Sequence, residues 1–315
     1  MVDIFYKKNG MILVSQSETD LAALRREDVI WIDLFAPEGD EKRAVEKFLD
    51  VEIQSRATAE EIESSSRFKE TDTAIFANTN FLMPGPDEYS MEAVSFTLVE
   101  GVLTTLRDVP LRSFTELQRK LVAIPRLYPN GYWVFVSILD QRVDLDADMI
   151  ELMSKEIAQY SRRVNQKEDI NEDFLLDINQ LQENTMIVRE NIVDKQRLIA
   201  NLTKSDKYPP ELEVRFNVLQ QDIGSLLNHT NFSFERLEYL QDTVLGIINL
   251  DQNNIMKVFT FVSLLLMPPT LVASFYGMNV HLPAEGWRWA WLAILGVMVL
   301  LSGAVWWFFK HRKML

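Results

Sequence analysis

Between Asn253 and Gly277 the chain places Met256, Thr260, Ser263, Met267, Thr270 and Ser274 at alternating steps of three and four. Such steps put them on one face of a helix. That face carries amide, hydroxyl and thioether groups, whereas Val258, Phe261, Leu265 and Val272 make the opposite face apolar. The chemistry on offer is that of neutral oxygen and sulfur acceptors. A polar stripe in hydrocarbon is costly unless it faces protein or water. One helix cannot enclose a wet path, but a ring of copies can. Small and hydroxyl residues also serve simply to let helices pack closely. Here Pro268-Pro269 frees backbone carbonyls, and Asn253 and Asn279 place amides at the two ends. Irregular backbone of that kind is tolerated where it lines a cavity or is buried in protein.

The stripe lies in the first of two apolar segments, Ile255–Phe275 and Trp287–Phe309. Each is long enough to cross about 30 Å of hydrocarbon as a helix. Lys257 is the one charge in the first, and Arg288, at the outer end, is the one charge in the second. The short connection through Asn279 and Glu285 makes the pair a helical hairpin with both ends on one side. Lys310, His311, Arg312 and Lys313 follow the second segment, and positive charge beside a span marks the cytoplasmic face. Trp287, Trp289 and Trp291 at one end, with Trp306 and Trp307 at the other, suit the two interfaces. A buried hairpin of a soluble protein is the alternative.

Composition narrows the rest. Net charge is −14 and cysteine is absent. An acidic chain is a poor match for nucleic acid, which rewards basic surfaces. Disulfides, thiolate catalysis and cysteine metal sites are excluded. The first residues lack the apolar core of a signal peptide, so insertion is expected to rely on the C-terminal spans. An enzyme is not expected: there is no glycine-rich phosphate loop, and His229, His281 and His311 lack metal-ligand spacing.

In order along the chain, the expected division is an α/β cytoplasmic domain over 1–135 and a long, coiled-coil-like helical stalk over 136–254. A pore-lining span over 255–276, an outer loop over 277–286, a second span over 287–309 and a basic tail over 310–315 follow. The fold class is α+β, with stalk helices and a C-terminal transmembrane hairpin. Val29–Leu34 and Thr73–Leu82 read as strands, and Glu41–Leu49 and Thr58–Ser65 as short helices. Ala93–Val99 and Val102–Arg107 flank Glu100-Gly101 as a hairpin. A helix is expected from about Leu111, broken near Pro125. From Tyr132 the pattern is helical. Phe174, Ile178, Leu181, Thr185, Val188, Ile192, Lys195, Ile199 and Leu202 form a heptad seam. After Pro209-Pro210 a second seam runs from Leu212 through Phe216, Leu219, Ile223, Leu226, Leu237, Leu240 and Val244 to Ile247. A helix from Glu211 to Phe275 would extend on the order of 100 Å; a break near Asn228–Asn231 is the alternative.

Tyr276-Gly277-Met278-Asn279 resembles the signature of the CorA magnesium-transporter family. Asn249-Leu250-Asp251-Gln252-Asn253 and Met267-Pro268-Pro269-Thr270-Leu271-Val272-Ala273-Ser274 precede it in the family's order. Trp31-Ile32-Asp33-Leu34, Ile62–Phe68, Phe96-Thr97-Leu98 and Leu103–Arg107 extend the resemblance over nearly the whole chain, which looks most like the enterobacterial-type branch. The resemblance implies a funnel-shaped homo-oligomer, a homopentamer, in the bacterial inner membrane, with Gly277, Met278 and Asn279 as the selectivity filter. It further implies a pore lined by Asn253, Met256, Phe259, Thr260, Ser263, Met267, Thr270 and Ser274. The family often has leucine one turn beyond that methionine, where this chain has Phe259. Mg²⁺ would be both the transported and the regulatory ion, with Co²⁺ and Ni²⁺ as further cargo. Acidic groups between cytoplasmic domains would sense it, with candidates Asp140, Asp144, Asp146, Asp148, Glu168, Asp169, Glu172, Asp173 and Asp222. The sensing pair among them is unassigned, with Asp140, Asp144, Asp173 and Asp222 as candidates, and a solvated helix face is the alternative for each. Glu285 in the outer loop would concentrate cations. The competing readings are a zinc transporter of the ZntB type and a membrane-anchored coiled-coil scaffold.

Overall fold

The computed structural model describes residues 1–54, 67–85, 88–168, 170–278 and 286–312. The helix expected over Thr58–Ser65 lies outside them. The chain divides into two compact units, Met1–Gln241 and Asp242–Leu315.

The first unit is built on a sheet of seven strands among the described residues, in the order β2-β1-β3-β7-β6-β5-β4. The strands are β1 (Val2–Lys8), β2 (Met11–Ser15), β3 (Val29–Phe35), β4 (Phe68–Glu70), β5 (Ala74–Met83), β6 (Ser90–Val99) and β7 (Val102–Arg107). All neighbours pair antiparallel except β3 and β7, which are parallel. The turns follow residue chemistry. Asn9 and Gly10, and Glu100 and Gly101, all hold positive φ, as the tight turns that match strand twist require.

Helix α1 (Gly39–Leu49) closes one face of the sheet, with Val45 and Leu49 among Ile4, Ile32, Leu34, Phe76 and Val102. The other face is aromatic. Phe5 stacks on Trp31 at 4.9 Å, Trp31 meets Phe114 at 5.7 Å, and Phe96 meets Phe135 edge-on at 5.1 Å. Three helices cover that face: α2 (Arg112–Ala123), α3 (Gly131–Gln166) and α4 (Glu172–Leu202). Asn130 caps α3 by accepting from the Tyr132 amide, and Asn171 caps α4 by accepting from the Phe174 amide.

Gly131 is where α3 meets the sheet. Its amide donates to the Gly101 carbonyl at 2.6 Å. A Cβ there would collide with the Leu103 amide nitrogen and lie 2.7 Å from the carbonyl oxygens of Gly101 and Ile30. These are backbone atoms and cannot rotate away. Gly131→Ala should therefore cost about 3 kcal/mol or more, the upper end of overpacking. Urea unfolding of the detergent-solubilised chain, followed by near-UV circular dichroism, checks this; an unchanged midpoint would remove the claim.

Two expectations need correction. The division expected at 135/136 falls inside α3, and the compact unit extends to Gln241. The α4 seam is buried at every position from Phe174 to Leu202, but it packs on β5 and β6 of the sheet rather than in a coiled coil. A three-four apolar repeat specifies one buried face and not its partner. The last helix of this unit is the first part of α5 (Glu213–Tyr276), which continues without interruption through Asn228–Asn231. Its seam buries Phe216, Leu219, Ile223, Leu237 and Leu240, after Leu212 just ahead of the helix, and includes Thr230 and Ser233, both buried. The Thr230 hydroxyl donates to the carbonyls of Leu226 and Leu227, which is how it remains buried without cost.

The second unit holds the rest of α5 and helix α6 (Ala290–His311). Both are long and apolar enough to cross a membrane, and none of their apolar windows is buried inside the chain. A soluble core hairpin would bury them. Phe261 and Phe309 meet edge-on at 5.5 Å between the two helices.

Candidate functional site

The stripe predicted from spacing is a continuous exposed face of α5. Asn253, Met256, Thr260, Ser263, Met267, Thr270, Ser274 and Gly277 are all exposed in the single chain, as is Phe259 beside them. Met256 is 56% exposed and Met267 61%. The half-buried positions of the same segment are Phe261, Leu264, Leu265, Pro268, Pro269 and Val272, on the opposite side, where α6 packs. The stripe is thus turned away from its own hairpin partner.

Two hydroxyls on it are oriented. Ser263 Oγ donates to the Phe259 carbonyl and Thr270 Oγ1 to the Leu266 carbonyl, both at 2.8 Å. With each proton committed to the helix, the lone pairs of these oxygens are what they present outward. Pro268 and Pro269 stand inside α5 without ending it. Proline lacks the N–H that would bond the carbonyl four residues earlier, so the carbonyls of Leu264 and Leu265 lose their helical donors. The Leu265 carbonyl instead accepts from Ser302 Oγ of α6 at 3.2 Å. Sequence reasoning missed Ser302; a lone hydroxyl in an apolar run opposite a proline pair was the available signal.

At the C-terminal end of α5, the Gly277 amide donates to the Ala273 carbonyl at 2.9 Å, and a Cβ on Gly277 would lie 3.2 Å from that same oxygen. Met278 is exposed. Asn279 and Glu285 lie outside the described residues. At the far end of α6, Lys310 sits over the Trp306 ring at 4.8 Å, and Arg312 over Phe308 at 5.8 Å.

The acidic candidates separate. Asp140 and Asp144 are one turn apart on α3, and Asp222 of α5 is close enough to act on Asp140 electrostatically. Burial pushes the Asp140 carboxyl up from its ordinary range; Arg215, 3.1 Å away, opposes this, and Asp144 and Asp222 add to it. Asp173 stands apart, in the first turn of α4, where it suits the helix dipole. Glu172 shares that turn, Asp148 and Glu168 are exposed, and Asp169 lies outside the described residues. Asp146 is fully buried between Arg142 and Lys195 and has no access to solvent ions. Among the described residues, no group of three or more acidic, histidine or cysteine side chains gathers to hold a metal.

Two buried ionic clusters hold the first unit together. Asp33 accepts from Arg107 Nη2 at 2.8 Å, from Thr105 Oγ1 at 2.8 Å and from Gln118 Nε2 at 3.1 Å. The Arg107 guanidinium lies over the rings of Phe35 and Phe114. In the second cluster, Asp146 accepts from Arg142 Nε at 2.9 Å, and Lys195 Nζ is 3.0 Å from its other oxygen. Lys195 also donates to the Asn80 carbonyl at 3.0 Å and to Asn191. Burial lowers the Lys195 ammonium pKa, and Asp146 opposes that shift.

The chain is similar to known proteins over nearly its whole length. The Magnesium transport protein CorA of Wolinella succinogenes is 32% identical over 321 aligned residues that cover both chains completely. The fold is that of the complete CorA magnesium transporter from Methanocaldococcus jannaschii, with a TM-score of 0.82 at 14% identity over 98% of this chain and 97% of that one. The cytoplasmic domain of ZntB from Vibrio parahaemolyticus is also similar, with a TM-score of 0.58 at 16% identity over 79% of this chain and 98% of that one. The sequence profile described as "CorA-like Mg2+ transporter protein" matches residues 26–311. With nearly its whole length matched, an α/β unit and two exposed apolar helices, the chain is a membrane protein of the CorA-like Mg²⁺ transporter family, a family of ion transporters and not of enzymes.

Proposed function

We propose that five copies of this chain form a funnel-shaped ring in the bacterial inner membrane and conduct Mg²⁺ inward, with both termini cytoplasmic. The observation that carries this reading is the exposed polar face of α5, turned away from α6. Five such faces meeting on an axis give a path lined by Asn253, Met256, Thr260, Ser263, Met267, Thr270 and Ser274, with Phe259 beside Met256. Mg²⁺ gives up its waters reluctantly, so the path must engage a hydrated ion. The waters on the ion point their hydrogens outward and need acceptors. Ser263 and Thr270, their protons committed to the helix, offer oxygen lone pairs. Asn279, with Gly277 and Met278, forms the outer ring where neutral amide oxygens meet the hydrated ion. Neutral rings bind weakly enough to release it. The rings at Met256 and Phe259 form an apolar constriction able to gate by dewetting.

No nucleotide site is needed. The membrane potential supplies about 2.3 kcal/mol per charge per 100 mV, twice over for a divalent ion. Co²⁺ and Ni²⁺ are further cargo. Closure by intracellular Mg²⁺ is proposed for the assembled ring only, with Asp140, Asp144 and Asp222 facing a neighbouring copy, because a single chain does not gather a ligand set. Glu285 raises the local cation concentration at the mouth.

The test is Mg²⁺ entry into proteoliposomes under an inside-negative potential, comparing the native chain with Asn279→Ala. Potential-driven uptake that falls at least about tenfold with the substitution supports the channel and places Asn279 in the path. No uptake of any divalent ion by correctly assembled native protein sinks the reading and favours a membrane-anchored scaffold. Zn²⁺ uptake alone, driven by a pH gradient, would move the chain to the zinc-transporting branch that the ZntB similarity represents.

A further inference from the structure

We infer that Ser302 is a positioning residue for the conduction path: its hydroxyl replaces the helical hydrogen bond that Pro269 removes, and so seats the proline segment of α5 on α6. This rests on the reading of the α5 stripe as the path.

The argument begins with one missing proton. In a helix the Leu265 carbonyl would accept from the amide of residue 269, which is proline. In hydrocarbon a carbonyl left without a donor is costly, and water is not at hand to replace it. The donor that arrives is Ser302 Oγ, 3.2 Å away and on the other helix. Gly303 beside it carries no side chain, and Leu265, Pro269, Ser302 and Gly303 line one shared groove. Small residues at such a point let two backbones come close enough for a side chain to reach a carbonyl.

The position matters because of what flanks it. Met267 and Thr270 bracket Pro268-Pro269 in the chain and lie on the exposed stripe. A proline pair removes two consecutive rungs from the α5 ladder, making this the most easily bent part of the segment. A bend or rotation there re-aims Met267 and Thr270 and everything beyond them toward Gly277. Ser302 ties that point to α6 by a bond that exists because Pro269 is there.

The dependence of one residue on the other gives the test. The chain has no native cysteine, so spin labels at Leu271→Cys and Leu300→Cys, both exposed positions, report the spacing of α5 and α6 in the full-length reconstituted protein. Mg²⁺ flux is measured in parallel on label-free chains. Ser302→Ala is expected to broaden the distance distribution and to lower flux about threefold, whereas Ser302→Thr keeps both near native. In a Pro269→Ala background, where residue 269 supplies its own N–H to Leu265, Ser302→Ala should change neither. Equal effects of Ser302→Ala in both backgrounds, or none in the native background, would overturn the proposal. If the native chain carries no Mg²⁺, the channel reading fails by itself, and the spin-label distances still decide whether Ser302 ties α5 to α6.

Discussion

Asp146→Ala should destabilise the unit Met1–Gln241 by about 3–5 kcal/mol, the range for breaking a buried ion pair from one side. The reason is what remains. Arg142 and Lys195 are both buried beside Asp146, 5% and 2% exposed at their side chains. Without the carboxylate, two cations would face each other in a dry interior over the ring of Phe81. The cluster ties α3 and α4 to β5 through the Asn80 carbonyl. The loss should therefore be read in all three elements together. Hydrogen exchange of the full chain checks this: amides of β5, α3 and α4 that open with the whole unit should exchange about two to four orders of magnitude faster. Replacing Arg142, Asp146 and Lys195 together by apolar residues of similar volume should return most of the stability, because the cost lies in the stranded charges. Unchanged protection in Asp146→Ala would mean that water reaches the site.

The second large effect concerns charge on the α5 stripe proposed to line the path. Cysteine is absent from the native chain, so Thr270→Cys can be assembled first and given a positive charge afterwards with a cationic methanethiosulfonate reagent. At about 6 Å, even with the dielectric of bulk water, one such charge opposes a divalent cation by about 1.4 kcal/mol, a factor of ten in occupancy. A ring of them multiplies this. Mg²⁺ flux should fall at least about tenfold on modification and recover on reduction. The same treatment of Leu300→Cys, on α6 and 71% exposed, should leave flux unchanged. Equal effects at the two positions, or none at Thr270, would remove the stripe from the path.

The α5 stripe was legible in sequence because its signal is local: side-chain types at helical spacing, within one element, need no knowledge of the fold. The seam from Phe174 to Leu202 was legible as a buried face, yet its partner was not. Helix-on-sheet and helix-on-helix packing ask the same spacing of the helix, and the difference resides in β5 and β6, about a hundred residues away in the chain. β1 and β2 were overlooked although Asn9-Gly10 is a strong hairpin signal between apolar runs. The Asp33–Arg107 and Asp146–Lys195 pairs were illegible for a different reason. Each joins distant segments, and an Asp in a strand or helix reads as a solvated group until burial is known. Ser302 combines both difficulties, since its role depends on a proline one helix earlier.

The one parallel pairing among the described residues, β3 with β7, has a consequence for the order of assembly. Its partners are far apart in sequence, 72 residues for Asp33 and Thr105, whereas β5, β6 and β7 meet through short connections. Closing a loop of that length costs about 4 kcal/mol of chain entropy beyond a constant, before any contact across it rewards the chain. The antiparallel run β5-β6-β7 is therefore placed to form early. The β1–β3 edge would dock late, when Arg107 captures Asp33 and shuts the barrier behind it. Folding of the first unit should accordingly be slow for its size, with relative contact order rather than stability setting the rate.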